Sequence, residues 1–492
     1  MKRFCLFVST FLLLGALNAS AQIQRPKVVV GLVIDQMRWD YFYYYYDQFG
    51  EGGLKRLIDE GFSYENLMIN YVPTVTAIGH SSIYTGTVPG IHGICGNDFL
   101  IDGVPTYCCA DKTVQGVGSS SDAALMSPRN LQSYTMGDQL QLATDFRSKV
   151  IGVALKDRAA ILPAGHSADA AYWWDTEAGH YVTSTYYMKE LPAWVQEFNK
   201  QNARKPGTDV KTSDDGVSLT FKMAEAALVN EHMGEGEVTD MLCVSVSSTD
   251  AIGHAYGTRG PENKSVYMRL DSELAHFFSL LDQRYGKDGY LFFLSADHGG
   301  AHNPNFLRDN SLPAGGLEMG RHRSTYNEQL CERTGLTGKL IKTTNACRVY
   351  LDHELIARQG GDLQQVKEAA MDIFRSDDRF LYVVDFQKAA VSTVPALIRE
   401  RIVNGYHPHR SGDIYLVPRA QYIDTSDSED YIGTTHGEWN PYDSHIPFVL
   451  MGWHVEPGQS SQPCRIVDIA PTICEMLHIQ MPNGCIGEPL RL

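Results

Sequence analysis

Residues 241–254 read M-L-C-V-S-V-S-S-T-D-A-I-G-H. The apolar run Met241–Ser247 reads as a buried strand, and it ends in a polar step that delivers Asp250 and His254. On a helical turn, positions four apart face the same way, so this carboxylate and imidazole converge. The arrangement recurs outward along the chain. Lys27–Ile34 is followed by Asp35, Lys149–Leu155 by Lys156 and Arg158, and Tyr290–Ser295 by Asp297 and His298. Helical patterns separate these runs: Leu54–Glu60, Val217–Glu231, and Tyr267, Leu270, Leu274, Phe277 and Leu281 at helical spacing. A strand at Ile446–Met451 and a helix at Val467–Leu477 follow near the end. Alternating strands and helices predict an α/β fold, a largely parallel central sheet with helices on both faces. In such sheets ligands bind outside the carboxyl ends of the strands. Four strands bring their ionisable groups to that edge.

Composition narrows the function. The 492 residues hold 42 Lys+Arg against 58 Asp+Glu, a formal charge of −16. A broad basic surface for nucleic acid is excluded, and an anionic substrate would meet a repulsive global field. Lys2 and Arg3, the apolar stretch Phe4–Leu17 and the small residues Ala19-Ser20-Ala21 form a secretory signal, residues 1–21. The expected mature chain, 22–492, is periplasmic and monomeric, with no later apolar run long enough for a membrane span. Ligands spread from Asp35 to His436 must meet, so one large catalytic domain is expected. The segment from about 303 to 418 breaks the alternation and reads as an inserted cap. Ten cysteines less Cys5 leave an odd number. Export permits disulfides, and Cys331 with Cys347, or two of Cys464, Cys474 and Cys485, are near enough in sequence to pair.

Taken singly, each polar candidate has an ordinary structural role. Asp35 and Asp250 fit strand-end caps, His436 in T-H-G-E-W-N (435–440) fits a solvated loop, and Thr76 in P-T-V-T-A-I-G-H (73–80) fits a helix N-cap. Taken together, three Asp and three His make two incomplete metal shells, as in sites that hold the attacking and leaving oxygens of an in-line displacement. Mixed His and Asp donors favour zinc. A threonine hydroxyl needs a base or metal to become a nucleophile, and the start of a helix also binds anions. His80, His92 and His166 are given supporting or structural roles. His407-Pro408-His409-Arg410 reads as a polar turn, and Tyr172, Trp173, Trp174, Tyr186 and Tyr187 as packing beneath a loop.

The motifs, by number, order and spacing, resemble the alkaline phosphatase superfamily. Within it the resemblance is to PafA-type, phosphate-irrepressible bacterial alkaline phosphatases, neighbours of the nucleotide pyrophosphatase/phosphodiesterases. It runs from Asp35 to V-D-I-A-P-T-I at 467–473. The resemblance implies two Zn²⁺, one held by Asp250, His254 and His436, the other by Asp35, Asp297 and His298, with Thr76 as nucleophile and metal-bound alkoxide. It implies that Asn97 in H-G-I-C-G-N (92–97) hydrogen-bonds a phosphoryl oxygen. It also implies that Lys156 and Arg158 of K-D-R contact phosphoryl oxygens, a pair the diesterase branch generally lacks. A monoester dianion exposes one more charged oxygen than a diester, so two fixed cations reward it in the transition state. The implied activity is hydrolysis of a broad range of phosphate monoesters through a phosphothreonine intermediate. A phosphodiesterase or nucleotide pyrophosphatase on the same fold is the alternative. A silent zinc or phosphate-binding protein would need a lost nucleophile or ligand, and neither is missing. Sulfatase chemistry fits less well, because Thr76 lies outside the modified Cys or Ser motif that sulfatases use.

Overall fold

The computed structural model describes residues 24–492, so the signal assigned to 1–21 lies outside the described residues. A ten-stranded sheet organises the chain in the order Gly458–Ser460, Phe62–Tyr64, Phe448–Gly452, Tyr290–Ser295, Val28–Ile34, Asp240–Val246, Val150–Ala154, Ala170–Asp175, His180–Ser184, Gly116–Val117. Its centre is parallel. Val28 pairs with both Asp240 and Tyr290, Ser245 with Ala154, and Ile151 with Ala170. Every residue of the five central strands is buried, so both faces are covered. That is why these runs read as continuous apolar sequence rather than as alternation. Toward its edges the sheet turns antiparallel, with Phe448–Gly452 against Tyr290–Ser295 and His180–Ser184 against Ala170–Asp175.

Register positions the site. Ile34 pairs with Val246 and Val33 with Ser295, so the strands end at one level and Asp35, Asp250 and Asp297 emerge together. The 25-residue helix Pro261–Tyr285 buries Tyr267, Leu270, Leu274, Phe277 and Leu281, the stripe seen in the sequence. Residues 315–418 hold a second apolar core with its own antiparallel sheet, Ile341–Asn345, Arg348–Leu351, Ile414–Pro418 and Phe380–Asp385 in that order. The helices Met319–Thr334, Leu363–Arg375 and Ala396–Gly405 contribute to that core.

The expected disulfides are not formed. All nine cysteines of the described residues are free thiols. The Cys331 Sγ faces the Gly338 carbonyl oxygen at 3.4 Å, and the Cys464 Sγ faces that of Asn66 at 3.6 Å. Tyr172, Trp173 and Trp174 are buried, but within the strand Ala170–Asp175 rather than beneath a loop. Arg410 is more than part of a polar turn. Its buried guanidinium donates to the carbonyls of Gly93 and Asn130 at 2.5 and 2.8 Å.

Candidate active site

Thr76 opens the helix Thr76–Thr85 and is 1 % exposed. Its hydroxyl lies 3.5 Å from His298 Nε2. The same nitrogen lies 3.5 Å from Asp35 Oδ1 and 3.5 Å from Asp297 Oδ2. Beside this group, Asp250 Oδ1 stands 3.1 Å from His254 Nε2 and 3.6 Å from His436 Nε2. The structure therefore brings together all six ionisable residues assigned as ligands, with Thr76 among them. One more residue joins the two groups: the Lys156 ammonium donates to Asp35 Oδ2 and Asp250 Oδ2, each at 2.6 Å. Lys156 thus spends two of its three donors on carboxylates and keeps one.

The donor set fits metal ions. Ligands about 2.0–2.2 Å from a tetrahedral zinc stand roughly 3.3–3.6 Å from one another, the spacing found around His298 and around Asp250. Asp35 Oδ1 and Asp297 Oδ2 are buried and have no hydrogen-bond partner among the described residues, a costly state unless a cation satisfies them. Two ligand groups meet on Asp250: Asp250, His254 and His436, and Asp35, Asp250 and His298. Each histidine turns its Nδ1 to a backbone carbonyl, His254 to Thr434 (2.9 Å), His436 to Thr74 (2.7 Å) and His298 to Gly299 (2.8 Å). With Nδ1–H donated, each Nε2 presents its lone pair inward, the orientation of a metal-ligating imidazole.

Electrostatics agree. Burial, then the charges of Asp250 and Asp297, push the Asp35 carboxyl well above the usual range. Burial works against charge on Asp250 too, but His254 and Lys156 outweigh it and hold that carboxyl well below. Asp297 is also held low, by His298 and His80 against burial. Burial keeps His298 and His436 lowered and so neutral. Three buried carboxylates crowd around one lysine, and the raised Asp35 carboxyl reports that crowding, which a bound cation would relieve.

Four residues not singled out as site residues hold the basin. Gln36, in a left-handed conformation at φ 63°, donates its side-chain amide to Asp250 Oδ1 (2.6 Å) and its backbone N–H to Asp297 Oδ1 (3.1 Å). Gly253 makes room for it, because a Cβ there would stand 2.0 Å from Gln36 Oε1. Nothing in the sequence marks Gln36 beyond its place after Asp35. His80 lies one helical turn after Thr76, 2.9 Å from its carbonyl and 3.2 Å from Asp297 Oδ2. That i,i+4 spacing was a readable signal. Gly79 brings the same helix against the loop of Asp297, where a Cβ would stand 2.2 Å from the Asp297 carbonyl oxygen.

The other predicted contacts flank the basin. Asn97 is half-buried, and its Oδ1 accepts the Ala77 N–H at 3.0 Å, leaving the Nδ2 end for a ligand. Arg158, half-buried on the helix Asp157–Ala164, hydrogen-bonds the Tyr107 hydroxyl at 3.0 Å.

A family model described as type I phosphodiesterase / nucleotide pyrophosphatase matches residues 29–439. The chain belongs to this family, part of the alkaline phosphatase superfamily. Among its relatives, a "Calcium-transporting ATPase" of Myroides odoratus is 44% identical across 97% of this chain and 96% of that one. "Alkaline phosphatase PafA" of Elizabethkingia meningoseptica is 42% identical across 97% and 96%. The crystal structure of wild-type PafA matches with a TM-score of 0.91 and 42% identity, covering 95% of this chain and 99% of that chain. Metal dependence follows from the family together with the ligand groups on Asp250. No helix among the described residues is long and apolar enough to cross a membrane.

Proposed function

We propose that this family member is a zinc-dependent alkaline phosphatase hydrolysing phosphate monoesters of broad range through a phosphothreonine intermediate. The observation that carries the reading is the common 3.5 Å spacing of the Thr76 hydroxyl, Asp35 and Asp297 about His298 Nε2. Two Zn²⁺, one among Asp250, His254 and His436 and one among Asp35, Asp297 and His298, would supply charge at the attacking and leaving oxygens when bound.

The chain's own groups do the rest. Buried Thr76 points its oxygen at the incoming phosphorus and holds little freedom to lose. Its attack forms the Thr76–phosphorus bond and releases the alcohol of the ester; water then cleaves that bond to free inorganic phosphate. Asn97 is oriented by the Ala77 N–H, so its amide N–H groups are the ones aimed at a phosphoryl oxygen. Lys156 adds its remaining N–H and Arg158 its guanidinium, both rewarding the extra charge of a monoester. The periplasm as location and a single chain as the working unit belong to the same reading.

The family description also names phosphodiesterases, which is the competing activity. One comparison separates the readings: kcat/KM for a phosphate monoester, a diester and a sulfate ester sharing one leaving group, with and without a chelator. The proposal expects a dominant, chelator-sensitive monoesterase. A dominant diesterase overturns it. Thr76→Ala should abolish the acid-stable phosphoenzyme, and its persistence would remove Thr76 as nucleophile.

A further inference from the structure

Asn97 and Arg158 are distant in sequence yet share a support. The hairpin Asp98–Ile101 and Val104–Tyr107 pairs Asp98 with Tyr107. At its foot the Cys108 N–H donates to the Asn97 carbonyl at 2.8 Å. One leg of this hairpin therefore begins beside Asn97 and the other ends on Tyr107.

The Tyr107 hydroxyl lies 2.7 Å from Asp157 Oδ1 and 3.0 Å from Arg158 Nη1. The direction of these bonds is forced. A guanidinium only donates and a carboxylate only accepts, so the hydroxyl gives its proton to Asp157 and its lone pair to Arg158. Burial and then the Asp157 charge push the Tyr107 hydroxyl well above its ordinary value, so it keeps its proton in alkaline solution. Among the described residues this is the one protein hydrogen bond that the Arg158 side chain makes, and its Nε is buried without a partner. A carboxylate directly on Arg158 would fix it but cancel much of its charge. A neutral hydroxyl backed by a carboxylate fixes its direction and leaves the remaining N–H groups for a ligand.

We propose that Tyr107 is a positioning residue that aims the Arg158 guanidinium at the phosphoryl oxygens and so contributes to selectivity for monoesters over diesters. The proposal rests on the assignment of Arg158 to those oxygens.

The test is a double-mutant cycle with Tyr107→Phe, which keeps the ring and its packing, and Arg158→Ala. The readouts are kcat/KM for a monoester and for a diester with the same leaving group, together with inhibition by inorganic phosphate. Tyr107→Phe should lower monoester kcat/KM by about 10-fold, the usual effect of one hydrogen bond to a charged group. It should weaken phosphate inhibition by a similar factor and move the diester less than about 3-fold. In the Arg158→Ala background the same change should cost nothing further. Equal losses on both substrates, or an undiminished loss without Arg158, would overturn the positioning role. A harmless Arg158→Ala would overturn the Arg158 assignment itself and the proposal with it, and so tells the two failures apart.

Discussion

The ligand basin and the flanking residues Asn97 and Arg158 are built from different material. Asp35, Asp297 and His298 are 0 % exposed and Thr76 1 %, and they issue from central strand ends or the first turn of a helix. Asn97 and Arg158 are half-buried and depend on the hairpin at 98–107. That hairpin is gripped from the second core. Arg348, fully buried, donates to the carbonyls of Cys95 and Asp98, and Asn345 donates to Asp98 at 3.1 Å. Asp35, Asp297 and His298 thus stand at the ends of the parallel strands in the centre of the sheet. Asn97 stands at the foot of the hairpin, and Arg158, itself on the helix Asp157–Ala164, reaches it through Tyr107.

The comparison can be broken most severely at the basin. Asp250→Ala removes a carboxylate shared by both ligand groups and should reduce monoester and diester turnover alike by roughly 10⁴-fold or more, with bound metal measured by elemental analysis falling in step. Next come the two cations. Lys156→Ala with Arg158→Ala should cost monoester kcat/KM about 100-fold or more while sparing diesters by comparison, read from the ratio of the two. Smaller still, Arg348→Met leaves buried carbonyls without a donor. It should lower stability by about 1–3 kcal/mol in thermal melts and reduce monoester activity severalfold while leaving bound metal unchanged.

The smallest effect on activity at alkaline pH concerns stability. Burial pulls His92 down to about 3. The Ile94 N–H donates to its Nδ1 at 3.1 Å, so Nε2 carries the proton toward Ser82 Oγ. A base lowered in the fold binds its proton only when unfolded. Stability is therefore full above about pH 6.5 and is lost as pH falls from there toward 3. His92→Gln should flatten that part of the stability curve in denaturant titrations at several pH values.

Much of this was legible in the sequence because strand ends are legible. Continuous apolar runs gave four of the five central strands to within a residue or two, Ala170–Asp175 being missed, and the polar residues after those four runs gave the basin. The edges were harder. Phe448–Gly452 runs antiparallel, and a short buried run looks the same in either direction. The hairpin's part in the site was invisible, since Tyr107 meets Arg158 only after 50 intervening residues have folded. Gln36 escaped for another reason: its role depends on a left-handed backbone and on space left by a glycine more than two hundred positions away. The cysteine pairs failed because nearness in sequence says nothing about which way a thiol points.

The meeting of Gly79 with the Asp297 backbone carries a consequence for how such an enzyme can change. Two main chains in contact act as a fixed ruler between the helix of Thr76 and the loop of Asp297, which any side chain at position 79 would force apart. Any drift toward new esters must leave that ruler alone and redraw the periphery instead.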